Sequence, residues 1–282
     1  NINGPSLIRV PDWVPNPLGR YYLYFGHHQG TYIRLAYADD LSGPWRIHGP
    51  GTLRLEQTVC VGHIASPDAH VDDARREIVL YFHGPISDTI RNHRGQRSFY
   101  AVSADGLTFT ASDTILGPFY FRVFQHRGWH YAIAKSMMHD GGGMLLRSQD
   151  GRSPFEEGQE ILPRQRHVAV LKRDDVLRIF YTRGGDAPER ILSSDMPLTD
   201  DWRAWSPGEP GEVLAPTTAW EGGALPVEPS TFGVVHQPVR QLRDPAIFCA
   251  GDNTYLLYSV AGEQGIAIAQ LRELPEASDG TG

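Results

Sequence analysis

The sequence has few of the features that mark membrane, disulfide-stabilised or nucleic-acid-binding proteins. Only two cysteines occur in 282 residues, Cys60 and Cys249, and their distance along the chain indicates neither a disulfide framework nor a cysteine-based zinc site. No apolar run approaches the ~18 residues that a membrane-spanning helix needs. Basic residues are the minority, 26 Lys and Arg against 33 Asp and Glu. We therefore expect no nucleic-acid partner and no binding to anionic membranes.

The compartment and the oligomeric state stay open at this level. No secretory signal is visible, but the chain begins with Asn1 rather than Met. A cytoplasmic protein and a secreted, processed protein both fit this N-terminus.

A strand-like segment recurs five times and predicts the fold class. Short aromatic and β-branched runs lie between 30 glycines and 21 prolines, without the apolar periodicity of long helices. The copies are YYLYFG (21–26), IVLYFHG (78–84), WHYAIAK (129–135), LRIFYTRG (177–184) and TYLLYSVAG (254–262). Repeats of about 50 residues predict an all-β fold, a five-bladed β-propeller in a single domain.

The repeat spacing also predicts the limits of the blades. Residues 1–282 are expected to form one catalytic domain, and residues 206–240, rich in Pro and Gly, an insertion before the last blade. The blades are approximately 1–60, 61–115, 116–162, 163–205 and 240–282. Each of the first four repeats is followed by an aspartate expected to bond a turn backbone. These aspartates are Asp39, Asp105, Asp150 and Asp195.

Polar residues cluster where the first strand of each predicted blade begins. First strands line the channel of a propeller, so their polar groups should meet at one mouth. We expect Asp68, Arg122, His167 and Asp244 to converge there. Buried charges cost several kcal/mol unless paired, which favours a functional site over a core. The alternative is a structural ion network in which Asp244 pairs with Arg122 or Arg243.

Three of these blade openings resemble a known group of enzymes. The segments NGPSLIRV (3–10), ASPDAHVD (65–72) and RDPAIF (243–248) are similar to those of the five-bladed propeller glycoside hydrolases of families 43, 32 and 117. The resemblance covers essentially the whole chain. It implies hydrolysis of a furanosyl or related sugar linkage in polysaccharide degradation. A carbohydrate is the implied partner, no cofactor is required, and a structural cation in the channel is compatible with it.

The catalytic match to family 43 is partial. In that family the first blade opens with an Asp-Pro pair whose aspartate acts as base, whereas this chain has Asn3-Gly4-Pro5 there. The Asp-Pro pair occurs in the last blade, at Asp244. The acid of the family is a glutamate in a Glu-Gly or Glu-Ala context, and Glu221 before Gly222 is the nearest match.

Glycoside hydrolysis needs one ionised and one protonated carboxyl group, ~5–5.5 Å apart for retention and ~6.5–9.5 Å apart for inversion. Asp244 beside Arg243 should stay ionised and serve as base or nucleophile. Glu221 beside Trp220 should have a pKa raised by partial burial and serve as acid. The other candidate carboxylates are Glu189, a reserve acid, and Asp68, an orienting group.

Histidines and arginines at strand ends are expected to bind substrate oxygens. The predicted substrate-binding residues are Asn3, His27, His28, His70, His83, Arg122, Arg166, His167, Arg243 and Trp220. No metal-ligand spacing such as HExxH occurs, so no catalytic metal site is predicted.

Two other classes of function stay open beside the hydrolase. One is another carbohydrate-active enzyme, a transglycosylase or a histidine-based lyase, which the missing first-blade aspartate and the many histidines favour. The other is a non-catalytic sugar-binding propeller, which a large separation of Asp244 from Glu221 would favour.

Overall fold

The computed structural model describes residues 1–87, 95–136 and 141–272, which form five antiparallel sheets. The first sheet contains β1 (Asn3–Arg9), β2 (Tyr21–Gly26), β3 (Arg34–Ala38) and β4 (Arg46–His48). The second contains β5 (Ala65–Asp72), β6 (Glu77–Pro85), β7 (Gln96–Ser103) and β8 (Thr110–Ala111), with β9 (Gly117–Pro118) also paired to β7.

The remaining three sheets follow in chain order. The third contains β10 (Arg122–His126), β11 (Trp129–Lys135), β12 (Gly143–Ser148) and β13 (Glu156–Ile161). The fourth contains β14 (Gln165–Arg173), β15 (Val176–Arg183), β16 (Ile191–Pro197) and β17 (Gly211–Leu214). The fifth contains β18 (Arg243–Ala250), β19 (Asn253–Val260) and β20 (Gly265–Leu271). The prediction of a single-domain, all-β, five-bladed propeller is confirmed.

The helical part of the described chain consists of three single 3-10 turns. They lie at Leu55–Gln57, Trp202–Ala204 and Ala219–Glu221. In the described ranges, no helix reaches the length and apolarity that crossing a bilayer requires.

Apolar packing between neighbouring blades closes the ring. Successive side chains of a strand point to opposite faces, so the second strand of a blade serves two junctions. In β2, Tyr22 and Tyr24 pack with the second blade, whereas Leu23 and Phe25 pack in a cluster with Phe248 of the fifth blade. The described residues form five such buried clusters, one at each junction. This alternation explains why the repeated segments have apolar residues on both faces.

The predicted blade limits need two corrections. Strand β17 pairs with β16 and completes the fourth blade, so this blade extends to Leu214, inside the predicted insertion 206–240. Gly117–Pro118 pairs with β7, so the second sheet passes the predicted limit at residue 115. In both cases the added strand is two to four residues long, too short for a periodic signal.

The prediction that an aspartate bonds the turn backbone is confirmed for Asp105 and Asp150 and is wrong for Asp39 and Asp195. Asp105 accepts hydrogen bonds from the backbone amides of Leu107 and Thr108, and Asp150 does the same with Arg152 and Ser153. Asp39 instead accepts from the more distant amide of Arg20. Asp195 lies within strand β16 and pairs with the side chain of Arg178.

Candidate functional site

The inner strands of four blades begin with a β-bulge, which interrupts the ladder and turns side chains toward the channel. The register breaks between Asn3 and Ser6, Ala65 and Asp68, Gln165 and Val168, and Arg243 and Ala246. In the third blade, the carbonyl of Phe119 accepts from the amide of Lys135, which places Tyr120 at the matching position. We call this set of equivalent positions the bulge ring. Its members are Gly4, Ser66, Tyr120, Arg166 and Asp244.

The bulge ring carries backbone strain. The φ angles are +50° at Ser66, +75° at Tyr120 and +47° at Asp244, in the left-handed region that costs a non-glycine residue about 1–2 kcal/mol. Gly4 has φ +58° without this penalty. Strain of this kind concentrates at functional sites, because the surrounding structure must hold it. The ring is therefore the first place to look for a site.

A cavity of about 380 Å³ opens at the bulge ring, and we call it the axial cavity. Four ring members line it: Ser66, Tyr120, Arg166 and Asp244. Four histidines also line it: His28, His63, His83 and His167. Strands from all five blades meet in this space, as the channel argument predicts.

Asp244 is the only carboxylate among the described residues that line the axial cavity. Its Oδ1 accepts a 2.6 Å hydrogen bond from the Tyr120 hydroxyl, and its Oδ2 accepts one of 3.2 Å from Ser259. The Nε2 atom of His167 lies 3.2 Å from Oδ1. Neutral donors thus hold the carboxylate in place, and its side chain is almost wholly buried.

His167 is neutral in this arrangement. Burial lowers the pKa of His167 well below the usual value. The charge of Arg166 lowers it further, whereas the charge of Asp244 acts in the opposite direction. The Asp244 amide donates to Nδ1, so the ring hydrogen belongs on Nε2, facing Asp244. The Tyr120 ring packs between His83 and His167, with centroid distances of 5.3 and 5.0 Å. This stack orients Tyr120 and His167, two of the three groups that donate to the Asp244 carboxylate.

Arg243 does not pair with Asp244, so the expected ion pair between these two neighbours is wrong. The Arg243 guanidinium is fully buried and donates to Glu263 at 2.9 Å and to Gln241 at 2.6 Å. Glu189 lies 3.5 Å away. The alternative of a structural network fails too, because among the described residues Arg122 bonds the carbonyl of Phe121 and Arg243 pairs with Glu263, so neither pairs with Asp244.

Glu221 does not have the raised pKa predicted for it. Burial alone would raise this pKa, but hydrogen bonds from Thr218, Thr217 and Tyr258 outweigh burial and lower it. The carboxylate caps the 3-10 turn Ala219–Glu221. It bonds the Tyr258 hydroxyl, and Tyr258 points to the opposite face of β19 from Ser259, the partner of Asp244.

Replacing Glu221 by glutamine should destabilise the protein by about 1–3 kcal/mol, because the cap loses a charged acceptor. Turnover should change by less than about 3-fold, since Glu221 does not line the cavity. Urea denaturation and turnover of an aryl glycoside check the two effects separately. A large loss of turnover in a variant of unchanged stability would return the acid role to Glu221.

Glu189, the reserve acid, has the pKa shift that Glu221 lacks. Burial raises its pKa, and the opposing charges of Arg166 and Arg243 offset this in part. Its side chain is fully buried, with Oε1 3.4 Å from the Nε of Arg166. Glu189 therefore lies directly behind a residue that lines the axial cavity.

The predicted convergence holds for His167 and Asp244 but not for Asp68 and Arg122. Asp68 accepts from the amide of Val123 and lies 2.9 Å from the Nε2 of His70, without lining the axial cavity. Arg122 donates to the carbonyl of Phe121 and packs over Tyr120. Of the two, only Arg122 contacts a residue that lines the axial cavity, Tyr120.

Some of the other predicted binding residues line the axial cavity and others do not. Asn3 and His28 line the axial cavity and bond the buried Glu263. His27 and Trp220 do not line it.

Three residues of this region were not predicted. Lys135 and Phe232 line the axial cavity. The buried Glu263 accepts a hydrogen bond from Asn3, which also lines it. A signal for two of them existed, because Lys135 and Glu263 lie at or just after the end of a repeated strand, as His28 and His83 do. Phe232 belongs to an irregular loop, whose path no periodicity encodes.

Protonation of the buried His83 should make stability depend on pH. Burial, helped by nearby His63 and Arg122, lowers its pKa to about 3. Between about pH 6.5 and pH 3 the unfolded chain binds a proton there that the folded chain does not, so stability falls as pH falls. The slope from this group is up to about 1.4 kcal/mol per pH unit. His83→Gln should flatten the curve of unfolding free energy between pH 6 and 4, and an unchanged slope would contradict this assignment.

Metal ligation has no candidate cluster in the three described ranges. No group of three or more His, Cys, Asp or Glu side chains there could hold a metal ion. The channel cation stays a prediction.

Comparison with solved structures shows which class of proteins shares this fold. A thermostable family-43 glycoside hydrolase superposes with a TM-score of 0.70 at 11% identity, over 97% of this chain and 90% of that chain. A family-43 enzyme of Xanthomonas citri complexed with xylose gives 0.65 at 15% identity, over 99% and 89%. A family-43 β-xylosidase/α-arabinofuranosidase from a compost microbial metagenome, complexed with xylotriose, gives 0.63 at 14%, over 97% and 92%. The chain has the propeller fold of family-43 glycoside hydrolases.

Sequence similarity gives the particular family. The chain is 38% identical over 306 aligned residues to Uncharacterized protein R118 of Acanthamoeba polyphaga mimivirus, covering 96% of this chain and 83% of the viral protein. It therefore belongs to the family of this viral protein. No family model matches the chain.

Proposed function

We propose that the axial cavity is the active site of a glycoside hydrolase, with Asp244 as base or nucleophile. The observation that carries this proposal is the placement of Asp244. It lies on a strained bulge, at the wall of an axial cavity, oriented by Tyr120, Ser259 and neutral His167. A carboxylate so fixed can deprotonate water or attack an anomeric carbon without reorganising.

Glu189 is the acid in this proposal. A general acid must hold its proton near neutral pH, and burial raises the pKa of Glu189 in that direction. Arg166 stands between this carboxyl and the cavity. Proton transfer to a glycosidic oxygen therefore requires Arg166 to move aside when substrate binds.

A screen of aryl furanosides and pyranosides tests the hydrolase directly. Xylosides and arabinofuranosides come first, because solved proteins of this fold hold xylose and xylotriose or are named as acting on these sugars. Release of the aryl group by the native protein, and its loss in the Asp244→Asn variant, would support the proposal. Glu189→Gln should slow poor leaving groups more than activated ones, since only poor ones need protonation.

A non-catalytic sugar-binding propeller is the second candidate. It is favoured by one observation, that a single carboxylate lines the cavity within the described residues. Saturable sugar binding with no turnover on any member of the panel would favour this function over hydrolysis.

A further inference from the structure

Lys135 carries an ammonium group that is buried at the candidate site, and no counter-ion for it occurs among the residues that the structure describes. It lies at the end of β11, is 8% exposed and lines the axial cavity. Its Nζ donates to the carbonyl of Gln165 and lies 4.5 Å from the centre of the Phe232 ring. Within the ranges that the structure describes, no carboxylate oxygen is recorded within 4 Å of it.

The two neighbouring arginines each lie within 4 Å of a described carboxyl group, which sets Lys135 apart. Arg166 donates to the carbonyls of Thr231 and Gly233, and its Nε faces Glu189. Arg243 pairs with Glu263. An ammonium group that is buried without a counter-ion costs several kcal/mol, and a ligand that supplied the negative charge would offset this cost.

Lys135 also lies where two cavities meet. Lys135, Phe119 and Phe232 line both the axial cavity and a wider outer cavity of about 780 Å³. A sugar that reaches Asp244 through this opening would therefore pass the ammonium group. The chain as a whole carries a formal charge of −7, so any attraction for an anion must come from such a local group.

We propose that the axial cavity takes a sugar bearing one anionic substituent, a carboxylate, sulfate or phosphate, and that Lys135 binds this substituent. The proposal rests on the same site as the proposed hydrolase and names its class of substrate. Asp244 would face the reacting carbon while the ammonium group holds the substituent. A charge-assisted hydrogen bond at a buried position is strong enough to select such a sugar over its neutral parent.

Calorimetric titration with matched sugars tests this inference. The probes are glucose, glucuronate, glucose 6-sulfate and glucose 6-phosphate, with galactose and galacturonate as a second series. We expect at least one anionic sugar to bind the native protein about 10- to 100-fold more tightly than its neutral parent, as expected for a hydrogen bond to a charged group. The member that binds identifies the anionic group.

The chain contains only two lysines, Lys135 and Lys172, which provides a matched control. Lys172 is half-buried on β14 and does not line the cavity. Lys135→Met should abolish the preference, Lys135→Arg should retain part of it, and Lys172→Met should leave it intact. Thermal unfolding of each variant keeps the test independent of folding defects.

Equal binding of neutral and anionic sugars by the native protein would overturn the inference. An equal loss of the preference for anionic sugars in Lys135→Met and Lys172→Met would also overturn it. The same titrations separate it from the proposed function. Binding of an anionic sugar whose aryl glycoside is not cleaved would support the inference and contradict the hydrolase. Cleavage of neutral and anionic aryl glycosides with equal kcat/KM would support the hydrolase and contradict the inference.

Discussion

Replacing Asp244 by asparagine should lower the turnover of an aryl glycoside by about 10²- to 10⁴-fold, the range for a lost general base. The amide side chain has the same shape, and its oxygen can still accept from Tyr120, while its NH2 group can donate to the Ser259 hydroxyl, which donates to the native carboxylate. We therefore expect the melting temperature and the affinity for sugar to change little. Initial rates with saturating substrate, together with calorimetric binding, measure the two effects.

The matched control is Glu221→Gln, an equal chemical change at a carboxylate that does not line the cavity. If both variants lose turnover equally, the loss reflects general damage where the melting temperatures have fallen, and a catalytic role for Glu221 where they have not. If Asp244→Asn keeps native turnover, Asp244 is not the reacting carboxylate and the cavity needs another assignment.

Replacing Arg243 by methionine should lower the free energy of unfolding by about 3–5 kcal/mol, because it leaves buried charges without a partner. Arg243 and Glu263 are both fully buried and 2.9 Å apart, and Glu189 lies close by. Methionine fills a similar volume, so the loss reports the charge rather than a cavity. Urea denaturation of the folded protein gives the value directly.

Arg127→Met is the control for this prediction. Arg127 is half exposed and pairs with Asp175 at 3.3 Å on the surface, where an ion pair contributes little to stability. Adding Glu263→Gln to Arg243→Met should recover part of the stability, since it removes the buried carboxylate charge that has lost its partner. A loss no larger than that of Arg127→Met would show that the buried network contributes little.

The architecture could be predicted because it is repeated. Five copies of one strand pattern each carry apolar residues toward both neighbouring blades, as Tyr22 and Leu23 do. The short strands β9 and β17 lack this signal, since a two- to four-residue strand has no period to detect.

The candidate site was predictable only where the repeat places residues at equivalent positions. Asp244 and His167 were found because they open inner strands. Side-chain direction was not predictable: Arg243 precedes Asp244 in sequence but points to Glu263. The bulge at Asp244 changes the direction of successive side chains, so adjacency along the chain gave the wrong partner.

The Glu221 prediction failed for a different reason. Its sequence neighbours, Trp220 and two glycines, indicated burial, and burial alone raises a carboxyl pKa. The structure adds donors from Thr217, Thr218 and Tyr258, which reverse the direction. A pKa depends on the hydrogen bonds that the fold supplies, and local composition does not contain them.

A crystal structure of the Asp244→Asn variant soaked with the best substrate of the aryl glycoside screen tests the central claim most directly. The account predicts a sugar ring in the axial cavity, with its anomeric carbon facing residue 244 and its anionic substituent on Lys135. A sugar bound elsewhere, such as the groove between the fourth and fifth blades lined by Phe180 and Leu256, with the axial cavity empty, would contradict it.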